Sequence, residues 1–124
     1  MERVSRGGAL ALLLGLVLAS VDTAAGGQSP TPATSCVVLL HGLGRTALSM
    51  KALQWRLQDA GYGVVNITYP SLSHPIEELS RMAVDEGLAG CAALGLDRVS
   101  FVTQSLGGIL VRQYLAQHDI PGLQ

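Results

Sequence analysis

Three short β-branched apolar runs, CVVLL (36–40), YGVVNITY (62–69) and RVSFV (98–102), alternate with three stretches of helical periodicity. No other feature of the chain restricts its fold as much. CVVLL has no polar alternation and reads as a strand buried on both faces, the habit of parallel sheets. After it, Thr46 is placed to cap a helix running to about Ala60, with Met50, Leu53 and Leu57 at helical spacing and Gly61 as the stop. The second run ends at Pro70, and SLSH forms a loop. Pro75 suits the first position of a second helix, whose inner face carries Ile76, Leu79 and Ala83 and which ends between Cys91 and Gly95. The third run leads into a helix over Gly107–Gln117, with Ile109, Leu110, Tyr114 and Leu115 available for packing. The order β-α-β-α-β-α predicts an α/β fold, a parallel sheet with helices on both faces joined by right-handed crossovers. Groups that do chemistry in such sheets stand at the carboxyl ends of the strands, at a switch in strand order.

The amino terminus has a different character. Arg3 and Arg6 precede the apolar run Ala9–Ala19, and small residues follow around Thr23, Ala25 and Gly26. A basic region, a short apolar region and a small-residue zone make a secretory signal peptide over residues 1–26, cleaved after Ala25 or Gly26. The apolar run falls short of the ~20 residues of a membrane span, so no stable span is expected after cleavage. Ser20 occupies the place a lipidated cysteine would need. Residues 27–35, GQSPTPATS, read as a flexible linker, and residues 36–124 as the folded portion. The expected location is secreted or periplasmic. With a formal net charge of −1, the chain presents no basic face, and nucleic acid is not an expected partner.

Two loops interrupt the pattern at strand ends: HGLGR after the first run and TQSLGG after the third. In the second, Ser105 stands where a strand turns directly into a helix. A serine hydroxyl attacks a carbonyl only when it is presented and activated. Presentation needs a sharp strained turn with small residues two before and two after the serine. Gly107 meets that need, and Thr103 meets it less well. The helix that follows turns its unpaired N–H groups and dipole toward the charge an attacked carbonyl develops. The plain alternative is that Ser105 caps the helix. An oxyanion hole also needs two backbone donors, one from the residue after the nucleophile, here Leu106, and one from an earlier loop. His41-Gly42-Leu43-Gly44 is such a loop. Leu43 N–H is the expected second donor, with Gly42 and Gly44 letting the backbone approach a substrate.

CVVLLHGLGRT together with VSFVTQSLGGILVRQYL resembles the α/β-hydrolase superfamily, in particular its lipase/esterase-like members, over residues 36–123. The resemblance implies that Ser105 is the nucleophile, that Leu43 and Leu106 line the oxyanion hole, and that a small-molecule or lipid ester is cleaved through an acyl-enzyme. Thr103 replaces the usual glycine, and Gln104 stands where histidine is common; Gln104 is not a triad member. A triad also needs a carboxylate and then a histidine after the serine. The sequence offers only His118 and Asp119, in reverse order and about thirteen residues along a helix, ~20 Å away. His41 is expected to order its own loop. His74, in the loop after the second run, is a weaker candidate base, and its plain reading is an exposed loop histidine. Asp59, Glu77, Glu78, Asp85, Glu86 and Asp97 read as solvated charge. The chain is therefore expected to be the N-terminal portion of a longer hydrolase, poorly active by itself. A three-stranded sheet is also expected to leave an edge strand and apolar surface bare.

Cys36 and Cys91 are the two cysteines. A strand start and a helix end share one end of a β-α-β layout, so they can form a disulfide or remain two buried thiols. Two cysteines do not make a zinc site, and no metal or cofactor is expected. Two further readings stay open. One is a non-catalytic hydrolase-like binding remnant. The other is a dinucleotide-binding domain, since Gly42, Gly44 and Ala47 match G-x-G-x-x-A, although Asn66–Tyr69 lacks the carboxylate such a site needs.

Overall fold

The CVVLL run forms β1 (Cys36–Leu40), and all five of its residues are buried. The structure, a computed structural model, describes residues 32–124; the signal peptide and most of the linker expected from the sequence lie outside the described residues. A 3-10 turn (Ala47–Met50) follows β1 and runs into α1 (Lys51–Asp59). Next come β2 (Gly63–Ile67), α2 (Ile76–Ala93), β3 (Val99–Thr103) and α3 (Leu106–Leu115). The three strands are parallel in the order β2-β1-β3, with Cys36 opposite both Gly63 and Val99. This is an α/β fold of about three β-α units, with β1 at the centre of the sheet and β2 and β3 on its outer sides.

Alternation along β1 explains why it has no polar face. Val37 and Leu39 pack with Met50, Leu53 and Leu57 on the α1 side. Val38 and Leu40 pack with Leu79, Ala83 and Leu110 on the α2 and α3 side. Helices thus cover both faces, as the continuous apolar run requires. Among the described residues no helix is long and apolar enough to cross a membrane.

The inner faces of the helices differ from expectation at three residues. Ile76 is 40 % exposed, Ile109 52 % and Leu115 41 %. Ile76 opens α2 in a turn that precedes contact with the sheet; Leu79 and Ala83, further along, are buried. On α3 the buried face is Leu106, Gly107, Leu110 and Tyr114, which leaves Ile109 and Leu115 on the outer side. Val102, on edge strand β3, is also exposed. Beside the start of β3, Leu123 makes an isolated parallel bridge to Val99, supported by Val99 N–H to Gly122 O and Gln124 N–H to Val99 O.

The cysteines are joined. The Cys36–Cys91 disulfide ties the first residue of β1 to the last turns of α2, with the two Cα atoms 5.8 Å apart. Both residues are fully buried.

Polar bonds fasten α3 to α2. Ser80 Oγ donates to Leu110 O at 2.7 Å, and Tyr114 Oη donates to Asp85 Oδ1 at 2.8 Å. Acceptance by Asp85, then burial, then the Asp85 charge push the Tyr114 phenol above its ordinary value of 10.0. A raised phenol stabilises the fold fully below the unfolded value and loses that contribution as pH climbs through the folded value. Melting temperature is therefore expected to fall above about pH 10. Tyr114→Phe should cost about 1 kcal/mol near neutrality and flatten part of the alkaline decline. Burial also raises Tyr69, so some decline remains in the variant. Thermal melts between pH 8 and pH 11 read this out, and parallel curves for the two proteins would sink the role given to the Tyr114–Asp85 bond.

Candidate active site

β1 and β3 are neighbours, and the connections that leave them lie on opposite faces of the sheet. Their carboxyl ends therefore flank the switch in strand order. The HGLGR and TQSLGG loops meet there. A methyl group placed on Gly42 would lie 3.5 Å from the Gln104 carbonyl oxygen and 3.6 Å from Ser105 Cβ. Gln104 N–H donates to Leu40 O at 3.0 Å, carrying the β1–β3 ladder to the point where the chain turns.

Ser105 occupies that turn with φ 49° and ψ −114°. Among the described residues it is the one non-glycine with positive φ. A conformation of this kind costs on the order of 1–3 kcal/mol and persists only where the surroundings impose it. The imposition is visible. Gly107, two residues on, presses against β1 so closely that a Cβ there would lie 2.7 Å from Leu40 O and 2.9 Å from Leu40 Cβ. Thr103, two residues before, is accommodated differently. Its Oγ1 would be 3.1 Å from a Cβ on Gly108, so the second glycine of the pair supplies the room. The capping alternative is not realised: Ser105 makes no side-chain cap bond, and its residue is exposed.

The amide of Leu106 is the first of α3 and has no carbonyl within the helix to reach. Gly107 N–H and Gly108 N–H turn back to Gln104 O and Ser105 O. The other loop leaves a second amide unused. Arg45 N–H donates to Gly42 O at 3.1 Å, closing a four-residue turn with Leu43 and Gly44 at its centre. Gly44 takes φ +67°, which the third position of such a turn requires and which favours glycine. The second position of a β-turn keeps its N–H out of the turn's own bond, and that position is Leu43. Among the described residues, neither Leu43 N–H nor Leu106 N–H donates a hydrogen bond.

His41 orders this loop. It is fully buried and stacks on Tyr69 with ring centroids 4.1 Å apart and planes 10° apart. The Tyr69 amide donates to His41 Nε2 at 3.2 Å, so Nε2 is the bare nitrogen and Nδ1 carries the proton that goes to Gly42 O at 2.8 Å. The Tyr69 hydroxyl returns to His41 O. Gly44 N–H donates to Ser71 Oγ at 2.8 Å. Sequence reasoning missed Tyr69 and Ser71. The available signal was their position: TYPS follows β2, at the carboxyl end of the strand paired with β1.

The other candidates stand apart. His74 Nδ1 pairs with Glu78 Oε2 at 3.1 Å on exposed surface. His118 stacks on Tyr114 beyond the far end of α3. Among the described residues Ser105 Oγ has no hydrogen-bond partner, and no three metal-ligating side chains cluster. Of the amides that follow β1, Gly44 N–H is engaged with Ser71 Oγ, Ala47 N–H with Thr68 Oγ1 and Leu48 N–H with Thr46 Oγ1, and Asn66–Tyr69 carries no carboxylate for the ribose of a dinucleotide. Compared with family models, with curated proteins and with solved structures, the chain matches none.

Proposed function

We propose that Ser105 is the nucleophile of a serine ester hydrolase of lipase/esterase-like character, with Leu43 N–H and Leu106 N–H as its oxyanion donors. This is the function implied by the resemblance of the two loop motifs to the α/β-hydrolase superfamily. The observation that carries it is the backbone of Ser105. A strained serine at a strand-to-helix turn, held against a glycine loop with an unused amide, has no structural duty that a capping serine would not perform at lower cost. The substrate is a small-molecule or lipid ester, met outside the cytoplasm if residues 1–26 direct export. The histidine and carboxylate of a triad are not among the residues that surround Ser105 in 32–124. Loss of triad members leaves ~10³–10⁴-fold catalysis over water where oxyanion contacts and binding survive.

Imidazole tests the assignment because it can supply the base. Hydrolysis of p-nitrophenyl butyrate by the chain should rise with imidazole beyond imidazole's own background, with an acyl adduct on the Ser105 peptide detectable by mass. Ser105→Ala should remove the whole increment. An increment that survives Ser105→Ala would refute the nucleophile. The absence of a base beside Ser105 favours a second reading, a binding module with a hydrolase-like rim. That reading gains if no increment appears while ligands still bind.

A further inference from the structure

The Gly42–Arg45 turn divides the rim of the sheet. Gly42 faces Ser105, whereas Gly44 faces the other way: a methyl on it would lie 4.0 Å from Leu72 Cδ1. On that second side, between the loops leaving β1 and β2, lies an open cleft of about 430 Å³. This falls within the ~300–1,000 Å³ of small-molecule sites. Pro70 and Leu72 give it an apolar wall, and Leu72 is 75 % exposed. Four of its hydroxyls are tied to the backbone, Ser71 Oγ to Gly44 N–H, Thr68 Oγ1 to Ala47 N–H, Thr46 Oγ1 to Leu48 N–H and Tyr69 Oη to His41 O, while Ser73 adds a neutral hydroxyl to the lining. Arg45 is the one charged residue of the lining, and among the described residues its guanidinium has no carboxylate partner.

We propose that this cleft is a specificity subsite of the Ser105 centre, and that it takes an arm of the substrate made of an aliphatic stretch ending in an anion, carboxylate or phosphate, held by Arg45. The proposal rests on the reading of Ser105 as nucleophile. One turn serves both sides: its second residue, Leu43, offers an amide to the carbonyl, and its fourth, Arg45, offers charge to the arm. A guanidinium binds carboxylate and phosphate as a planar fork, which a neutral chain does not engage. The apolar wall of Pro70 and Leu72 in turn rewards an aliphatic stretch over a small hydrated anion. The match is to an amphiphile with a charged end.

Titration of the ¹⁵N-labelled chain with octyl phosphate, octanoate and 1-octanol, each below its aggregation concentration, tests this without catalysis. Saturable shifts are expected at Gly44, Arg45 and residues 68–73, with at least one anion binding about fivefold more tightly than octanol, the upper end for a partly exposed ion pair. The tighter anion identifies the head group. Arg45→Gln should abolish the preference and leave the octanol shifts in place. Octanol binding as tightly as both anions, a preference that survives Arg45→Gln, or no shifts at these residues would each overturn the proposal. Anion preference without any Ser105-dependent esterolysis keeps the cleft and discards the nucleophile. Esterolysis without anion preference does the reverse.

Discussion

Replacing Cys36 and Cys91 together with alanine is expected to lower the stability of the fold by about 4 kcal/mol. The bridge spans a sequence separation of 55. Closing a loop of that length removes chain entropy from the unfolded state worth about 4 kcal/mol. The loop holds β1, α1, β2 and most of α2, so the bond limits the unfolded freedom of the larger part of the described chain. Domains of this size are stable by only ~5–15 kcal/mol and bury a smaller share of their surface than large ones. A loss of about 4 kcal/mol corresponds to a fall in melting temperature on the order of 15–30 °C. Alanine also leaves room where two buried sulfurs lay, so the wild-type chain melted in reductant serves as the second measurement. It loses the cross-link and keeps the atoms. Both should melt far below the oxidised protein. A reduced chain melting within a few degrees of the oxidised one would show that the bond is not what holds β1 to α2.

That bridge marks the boundary between what local sequence reveals and what it conceals. A cysteine at a strand start and another near a helix end share one end of a β-α-β layout, so their proximity follows from the order of elements. The continuous run CVVLL likewise announces a strand covered on both faces. Expectation and structure part where distant residues intervene. Thr46 does cap, its Oγ1 accepting from Leu48 N–H, yet the first turn is 3-10. Thr68 holds the Ala47 amide and Asn66 Nδ2 donates to the Ala47 carbonyl, so β2 fixes that turn from outside. Ile109 and Leu115 fit a helical stripe in sequence, but the face that meets α2 and the sheet is set by Gly107, Leu110 and Tyr114.

The same division runs through the candidate site. Two glycine-containing loops at strand ends are visible in the sequence. The β2-β1-β3 order that sets them side by side is not, because it depends on which edge of β1 each later strand joins. His41 reads as a loop residue, whereas its burial depends on Tyr69, 28 residues away, which stacks on it and bonds it. The positive φ of Ser105 is likewise a tertiary effect. Nothing in Thr103–Gly108 alone compels it. It arises because Leu40 O accepts from Gln104 N–H on one side of the serine while Leu40 meets Gly107 on the other.

Gly107→Val puts that account to its strongest test. The new Cβ would lie 2.7 Å from Leu40 O and 2.9 Å from Leu40 Cβ, and Leu40 belongs to the fully buried central strand, which has no space to retreat into. α3 must move outward instead. Overpacking of this kind costs about 3 kcal/mol at the upper end of its usual range. Movement of α3 also loosens the Gln104 bond to Leu40, and with it the constraint that keeps Ser105 at φ 49°. Released, Ser105 should relax to negative φ and carry the Leu106 amide away from the Gly42–Arg45 turn. Imidazole-dependent esterolysis should then vanish at temperatures where circular dichroism still shows a folded chain. Gly108→Ala is the companion variant. Its Cβ would meet only the Thr103 side chain, tightly at Oγ1, 3.1 Å away, which can rotate aside, and at ordinary contact distance at Cβ, 4.0 Å away. Its cost should stay below about 1 kcal/mol, partly offset by the helix preference of alanine over glycine. If Gly107→Val melts with the wild type, or if Gly108→Ala proves the more damaging of the two, the contact between α3 and β1 is not what strains the serine.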